Sequence, residues 1–474
     1  MKLIGMKTLA GLALAIGLAG APLAPALAQN ATDAGNATVT AAAPAAAPEA
    51  AATPAPAPAA APAAPKIDTG DTAWMLTSSV LVLMMTIPGL ALFYAGMVRK
   101  KNILATLAQS FAATALITVL WMVIGYSLAF TDGGANNSFI GGFKYAMLAP
   151  MGLNSTASLA PTIPESVFMF FQMTFAIITP ALIAGALADR MKFSAFLAFM
   201  GAWLILVYCP IAHWVWGGGW LGKAGALDFA GGSVVHLNAG TAGLIAALML
   251  GKRKGLGNEH MAPHNLAYSV IGASLLWVGW FGFNAGSAVS SNVQAGMAAV
   301  ATQIATAGAS LAWMFAEWII SKKPSVLGMI SGAVAGLVAI TPASGFVNPT
   351  DALIIGLIAG VVCYISAVHV KKIFGYDDAL DCWGVHGVGG ALGAILTGVF
   401  ASNSINSLAK GWIHDGNVGQ MLLQFEDVAA TFVYCAVVTT IILLVIKYTI
   451  GLRVSDEVET EGLDINLHGE VVQA

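Results

Sequence analysis

Between residues 73 and 449 the chain is a succession of apolar runs separated by short polar breaks. A helix rising about 1.5 Å per residue needs about 20 apolar residues to cross a hydrocarbon layer of about 30 Å. Runs of that order are expected over residues 73–98, 104–130, 164–188, 194–216, 231–251, 264–287, 291–320, 324–341, 351–370, 380–400 and 424–449, about eleven spans. The pattern predicts an all-α polytopic membrane protein.

The basic residues sort the breaks into two sets. Arg99, Lys100 and Lys101 follow the first span, Arg190 and Lys192 the third, and Lys252, Arg253 and Lys254 the fifth. Lys322 and Lys323 follow the seventh, and Lys371 and Lys372 the ninth. The opposite breaks hold only Lys144, Lys223 and Lys410. Basic residues collect in cytoplasmic loops. The expected topology is therefore N-out/C-in, with the tail from about Lys447 inside. Eleven spans divide as five, five and one. A repeated unit with an odd number of spans inserts upside down, which predicts an inverted five-plus-five repeat with an additional C-terminal helix.

Ahead of the first span, residues 1–28 read as a cleaved signal peptide. Lys2 and Lys7 form a positive start, Leu9 to Leu18 an apolar stretch, and Ala26-Leu27-Ala28 a small-residue cleavage site. Residues 29–68 are almost all Ala and Pro, which cannot bury a core, and are expected as a disordered extracytoplasmic linker. The transmembrane domain is expected over residues 69–450 and a cytoplasmic tail over 451–474.

Composition sharpens the picture. Hydrophobic residues make up 58% of the chain and charged ones only 9%. About a quarter of a soluble chain is charged, so an ordinary soluble domain is excluded. The chain holds 53 glycines, many inside apolar runs, where they let helix backbones approach closely. Cys209, Cys363, Cys382 and Cys435 all fall in expected spans without a Cys-x-x-Cys pair, which argues against a disulfide or zinc framework.

Two stretches carry candidate chemistry. Asp228 to Gly243 places His236 in the fifth span, and Asp378 to Gly390 places His386 in the tenth. Each histidine follows an aspartate by eight positions, about 12 Å along a helix. An ionisable group at membrane depth is costly and is a functional-site hypothesis by default. Gly232, Gly240 and Gly243 share the helix face of His236; Cys382, Gly389, Gly390 and Gly393 share that of His386. Two such smooth faces can bring the rings together. Neutral imidazole has one donor and one acceptor nitrogen, so touching rings can share a proton and line a narrow passage. Spacing alone equally allows a plain interhelical hydrogen bond. A metal centre needs three or four ligands, and neither His213 nor the aspartates have the right spacing. No metal, cofactor or nucleic acid is expected.

Asp228 opens the fifth span and reads as a cap for its first amides. Asp378 and Asp381 read the same way for the tenth. Aromatic residues gather toward the outer side: Phe171 and Phe175 on the third span, Trp214 and Trp216 ending the fourth, and Trp280 to Phe283 on the sixth, which ends at Ser287. Trp, Phe and a Ser hydroxyl together can hold a small cation. Belt and core packing are the alternatives.

With these residues in view, the chain resembles the Amt family of ammonium transporters. The matching stretches are Pro88-Gly-x-Ala-Leu-Phe-Tyr94, Ala212-His-x-x-Trp-Gly-Gly-Gly219, Asp228 to His236, Gly279-Trp-Phe-Gly-Phe-Asn-Ala-Gly-Ser287, Asp381-x-x-Gly-Val-His-Gly387 and Gly451-Leu-Arg-Val. The likeness covers about residues 70–470; the Ala/Pro linker lies outside it. It implies a homotrimeric channel-like transporter of a bacterial inner membrane, with one pore per protomer. It further implies an outer recruitment site of Trp216, Ser287 and Phe175, a gate of Phe175 and Phe283, and a pore lined by His236 and His386. Asp228 would support the outer site. The tail, with Gly462-Leu-Asp and His468-Gly-Glu470, is similar to the family tail that packs under neighbouring protomers and meets a trimeric PII-type signalling protein. Read alone, it is a solvated acidic segment.

A bare ammonium ion in an apolar passage loses hydration, whereas ammonia does not carry that charge. The expected mechanism is recruitment, deprotonation, passage of ammonia and reprotonation inside, with or without the proton following along the histidines. A sensor signalling through its tail, or an Rh-type channel for another small neutral solute, are the alternatives. A membrane hydrolase is not expected, because no nucleophile and base are paired at membrane depth.

Overall fold

In the computed structural model, residues 66–473 are described. The signal peptide and nearly all of the linker expected from the sequence lie outside the described residues. Ten helices are long and apolar enough to cross a membrane. They are α1 (Thr69–Met97), α2 (Lys100–Phe130), α3 (Glu165–Leu187), α4 (Phe193–Ala224), α5 (Gly232–Leu250), α6 (Leu266–Ala288), α7 (Val293–Ser321), α9 (Pro349–Phe374), α10 (Cys382–Phe400) and α11 (Val418–Thr449). Between α7 and α9 lies a shorter apolar helix, α8 (Val326–Ile340). It corresponds to the expected span 324–341 but has only 15 residues, or about 22 Å. Pro342, which has no amide hydrogen to donate, follows its end. The turn after it is buried, and its backbone is satisfied within the protein: Phe229 N donates to the Pro342 carbonyl at 3.1 Å. Non-helical backbone at such depth is tolerated where protein surrounds it.

Local chemistry sets several helix starts. Asp68 accepts from the Asp71 amide at 2.9 Å ahead of α1. Asn292 does the same for α7, Ser325 for α8, and Asn348, followed by Pro349, for α9. These side chains satisfy amides that have no partner inside the helix.

The helices differ in depth. Most of α3 and α5 is buried, whereas α2, α7 and α11 each turn a broad face outward. Large apolar residues such as Phe111, Ile319, Val433 and Ile441 are exposed on those faces. That arrangement suits a lipid surround rather than water. The centre therefore belongs to α3 and α5, with α10 packed against α5.

The segment after α11 is not the solvated acidic strand that its composition suggests. Glu459, in the short helix α12 (Asp456–Glu461), is buried and accepts from Arg453 at 2.6 Å and from the Lys254 amide at 2.6 Å. Asp464 accepts from the Leu104 and Ala105 amides at 3.0 and 2.8 Å, which caps α2. His468 meets the Phe193 ring edge-on at 5.0 Å. The buried acidic side chains find partners within the chain, Glu459 on Arg453 and the Lys254 amide and Asp464 on the α2 amides, and burial follows from that pairing. Arg253 also joins this face, pairing with Asp377 at 2.9 Å. Burial works to raise the Asp377 carboxyl, but Arg253 outweighs it and holds the group below its ordinary value.

Candidate functional site

The two histidines meet. His236 Nδ1 and His386 Nδ1 are 3.3 Å apart, and the rings lie 5.4 Å apart at 20° to one another. One nitrogen donates and the other accepts, so the pair holds a proton between the rings. Both side chains are buried, and His236 Nε2 has no hydrogen-bond partner.

Two features of the backbone bring the rings together. The first is the glycine pair at the helix crossing. A Cβ on Gly240 would overlap the Gly387 backbone, and one on Gly390 would lie 2.6 Å from Leu237 N and 3.0 Å from His236 Cβ. Each glycine lies four positions after its histidine. The later residue of one helix meets the earlier residue of the other, so α5 and α10 cross antiparallel, as an inverted repeat requires. The second feature is a wide turn. Both histidines sit in π-helical segments, Gly232–Leu237 and Cys382–Gly387, rather than in regular α-helix. A π turn inserts an extra residue and re-aims the side chains around it.

The expected 12 Å of helix between each aspartate and its histidine is therefore not what the structure holds. Gly231, at φ 113°, and Asp381, at φ 60°, adopt left-handed conformations just before the π segments. Asp228 lies ahead of that reversal with its carboxylate turned back onto the helix start. Oδ1 accepts from the Gly231 and Gly232 amides at 2.8 and 2.6 Å; Oδ2 accepts from Ser233 and Val234 at 2.8 and 3.2 Å. This is the capping role read from the sequence. Asp378 does the same work less completely: Oδ2 accepts from the Trp383 amide at 2.7 Å, while Oδ1 has no partner. Burial, with Asp381 next in weight, pushes its carboxyl up to about 6. Asp381 departs from the expected capping role. It pairs with Lys371 instead, because its left-handed backbone does not direct the side chain at the helix amides.

A ladder of rings leads away from His236. Phe283 lies 5.8 Å from it, and Phe175 stacks on Phe283 at 4.1 Å and 23°. Trp216 meets Phe175 edge-on at 6.0 Å. The Trp216 indole donates to the Asp228 carbonyl at 2.8 Å, which fixes its plane. Ser287 Oγ donates to the Phe283 carbonyl at 2.8 Å, leaving its own lone pairs to accept from a cation. Phe175 and Phe283 are buried, while Trp216 and Ser287 are half-buried. On the far side, His386 opens onto a cavity of about 30 Å³ lined by Phe93, Met97, Ser331, Leu380 and Asp381. That is room for about two water-sized molecules.

Two residues were not assigned a role from the sequence. Trp280 stacks on His236 at 5.2 Å and 16°, and donates to Thr341 Oγ1 at 2.9 Å. Its position three before Phe283 and seven before Ser287 puts it on their helix face, a periodic signal open to a sequence reader. Asp427 lies buried in α11 and accepts from Ser233 Oγ. A carboxyl inside an apolar run was its signal. His213 is used up structurally: its ring nitrogens contact the Ala129 and Asn137 carbonyls at 2.9 and 2.7 Å. All four cysteines are buried and unpaired.

The family model described as Ammonium Transporter Family matches residues 73–473. The chain is similar to an ammonium transporter of Bacillus subtilis (strain 168), 50% identical over 401 residues, covering 85% of this chain and 98% of that protein. An ammonium transporter of Aquifex aeolicus (strain VF5) is 52% identical over 407 residues, covering 85% of this chain and 93% of its own. Among solved structures, Saccharomyces cerevisiae Mep2 aligns with a TM-score of 0.77 at 37% identity, over 82% of this chain and 88% of that one.

Proposed function

This chain belongs to the ammonium transporter family and carries ammonium across a membrane as a multi-pass protein; on that premise we propose how its own residues do so. Ammonium is held at the mouth by the Trp216 and Phe175 rings and the Ser287 hydroxyl. Ring faces attract a cation, and a hydroxyl already donating to a carbonyl offers only lone pairs to it. Ammonium gives up its proton there to water at the half-buried mouth and becomes ammonia. Ammonia passes the Phe175–Phe283 stack, follows the His236–His386 pair and regains a proton beyond the cavity beside Asp381.

The reading is carried by one observation: the ladder from Trp216 to His386 is unbroken and ends on two imidazole nitrogens 3.3 Å apart. A permanent cation meets a barrier of several kcal/mol in such an apolar channel, whereas ammonia pays only for the hydrogen bonds it gives up. Potassium has no proton to release and is rejected on that ground. The histidine pair offers nitrogen partners at the depth where water is excluded, and gives the released proton a route if it follows.

The basic loops support an orientation with the tail in the cytoplasm and the Trp216 mouth outside, in a bacterial inner membrane. Residues 1–28 then serve as a signal peptide and residues 29–68 as an extracytoplasmic linker. The broad apolar faces of α7 and α11 suit packing in a homotrimer as well as lipid contact. A PII-type protein is the proposed partner of the tail face.

The test is transport by the purified chain in vesicles, with both His236→Leu and His386→Leu present. Flux of methylammonium is expected to fall roughly tenfold, which corresponds to about 1.4 kcal/mol, or potassium to begin to pass. Unchanged flux and unchanged rejection of potassium would overturn the reading.

A further inference from the structure

The last helix, α11, stands outside the two halves that supply the histidines, yet one face of it is polar. Gln424, Asp427, Thr431, Cys435 and Thr439 recur at three- and four-residue steps and are all buried. The Gln424 side chain takes the Leu227 amide at 2.7 Å and donates to the Leu227 carbonyl at 2.8 Å. Thr439 Oγ1 accepts from the Trp203 indole at 3.1 Å. Asp427 Oδ2 takes the Ser233 hydroxyl, and its Oδ1 lies 3.5 Å from Thr431 Oγ1.

Asp427 has no cationic partner: none of the ion pairs among the described residues includes it. Of the helices packed on α11, α5 and α10 contain no lysine or arginine, and α4 contains only Lys223, which is exposed. An isolated carboxylate in such surroundings is far costlier than the neutral acid. Asp228 is the opposite case. Each of its oxygens already takes two amide hydrogens, so there is no lone pair free for a proton. Ser233 joins the two, with its amide on Asp228 and its hydroxyl on Asp427.

We propose that Asp427 is a protonated positioning residue for the outer substrate site. As a neutral acid it holds Ser233 through its carbonyl oxygen and carries its hydrogen on Oδ1, on the side of Thr431. Together with Gln424 on Leu227, it clamps both ends of the Leu227–Ser233 loop. That loop supplies the Asp228 carbonyl that orients the Trp216 indole. Asp427 thus acts through Asp228 and Trp216 and touches no substrate itself. The inference rests on the reading of Trp216 as part of the recruitment site.

The experiment uses the full chain in vesicles, with methylammonium as substrate. Asp427→Ala should raise the apparent KM about fivefold, the worth of one net hydrogen bond, with maximal flux per inserted protein nearly kept. Asp427→Asn, which retains a carbonyl and a donor, should recover most of that loss. Infrared spectra should show a protonated-acid carbonyl band in the parent chain that vanishes in Asp427→Asn. A parent-like KM in Asp427→Ala, or a band unaltered by Asp427→Asn, overturns the proposal; the infrared arm decides alone if Asp427→Ala fails to insert. Trp216→Leu in the same assay separates the premises. An unchanged KM there overturns the outer-site reading, and the proposal with it. A raised KM there beside a parent-like Asp427→Ala overturns the proposal alone.

Discussion

Asp228 and Asp378 hold matching places ahead of the two histidines, but their surroundings set them apart. Four buried amides depend on Asp228 and one on Asp378. Leaving a buried donor unsatisfied costs about 1–3 kcal/mol. Asp228→Ala should therefore destabilise the protein by more than about 4 kcal/mol, and Asp228→Asn should not rescue it, since its NH2 group would face two donors. Asp378→Asn keeps an acceptor for the Trp383 amide but puts an NH2 group where Oδ1 had no partner, so it should cost about 1–3 kcal/mol, less than Asp228→Ala. Melting temperatures in detergent read the contrast. The pH dependence adds a second check. The Asp378 carboxyl is raised to about 6 by burial and then by Asp381, against about 4 in an unfolded chain. The folded state binds that proton more tightly, so this group adds stability as pH falls from 6 toward 4 and loses it as pH rises. The gain should vanish in Asp378→Asn; an equal gain there would remove Asp378 as its source.

At the scale of the element, the crossing of α5 and α10 depends on two hydrogen atoms where other residues carry a Cβ. Gly240→Ala would drive a methyl into the Gly387 backbone, which cannot move aside as a flexible side chain could. Overpacking of that kind costs about 1–3 kcal/mol, and here it separates the histidine rings as well. Transport should fall several-fold along with melting temperature. Gly296→Ala is the control. It lies in α7 with open space around it, so it should be neutral or stabilising by up to about 1 kcal/mol. Equal behaviour of the two variants in uptake and melting would show that the crossing is not tight. The glycines at the histidine faces were legible in the sequence because helical spacing puts them there. The π segments were not, because no residue type marks an extra backbone residue. The wide turns Met85–Leu90 in α1, Trp121–Gly125 in α2, Leu204–Tyr208 in α4 and Ile365–Val370 in α9 were hidden for the same reason.

Across the whole molecule, what hydropathy made visible was the set of buried runs; what it hid was partnership. The spans stood out because a bilayer demands long apolar stretches. The expected span 324–341 is there as α8, Val326–Ile340, and its buried end looks apolar whether lipid or protein surrounds it. The ring ladder needed contacts between α3, α4, α5 and α6, which no local spacing encodes. The tail shows the same limit. Its acidic residues looked solvated because several of their partners lie hundreds of positions earlier, at the Lys254 amide and the Leu104 and Ala105 amides of α2. Glu459 joins these regions: it holds Arg453, which in turn donates to the Leu250 carbonyl at 2.9 Å at the end of the histidine helix α5. Tail docking and the C-terminal end of α5 are thus mechanically linked. Glu459→Ala leaves a guanidinium and the Lys254 amide without their acceptor, at a cost on the order of 3 kcal/mol. That is about a hundredfold in the ratio of docked to free tail. Cleavage between residues 455 and 470 by added protease should accelerate accordingly, while the membrane helices stay protected. Amide exchange at the last turn of α5 should rise in parallel if the Arg453 contact transmits the change. Faster cleavage with unaltered exchange there would confine Glu459 to holding the tail. Unaltered cleavage would mean that Asp464 on the α2 amides suffices to keep the tail docked.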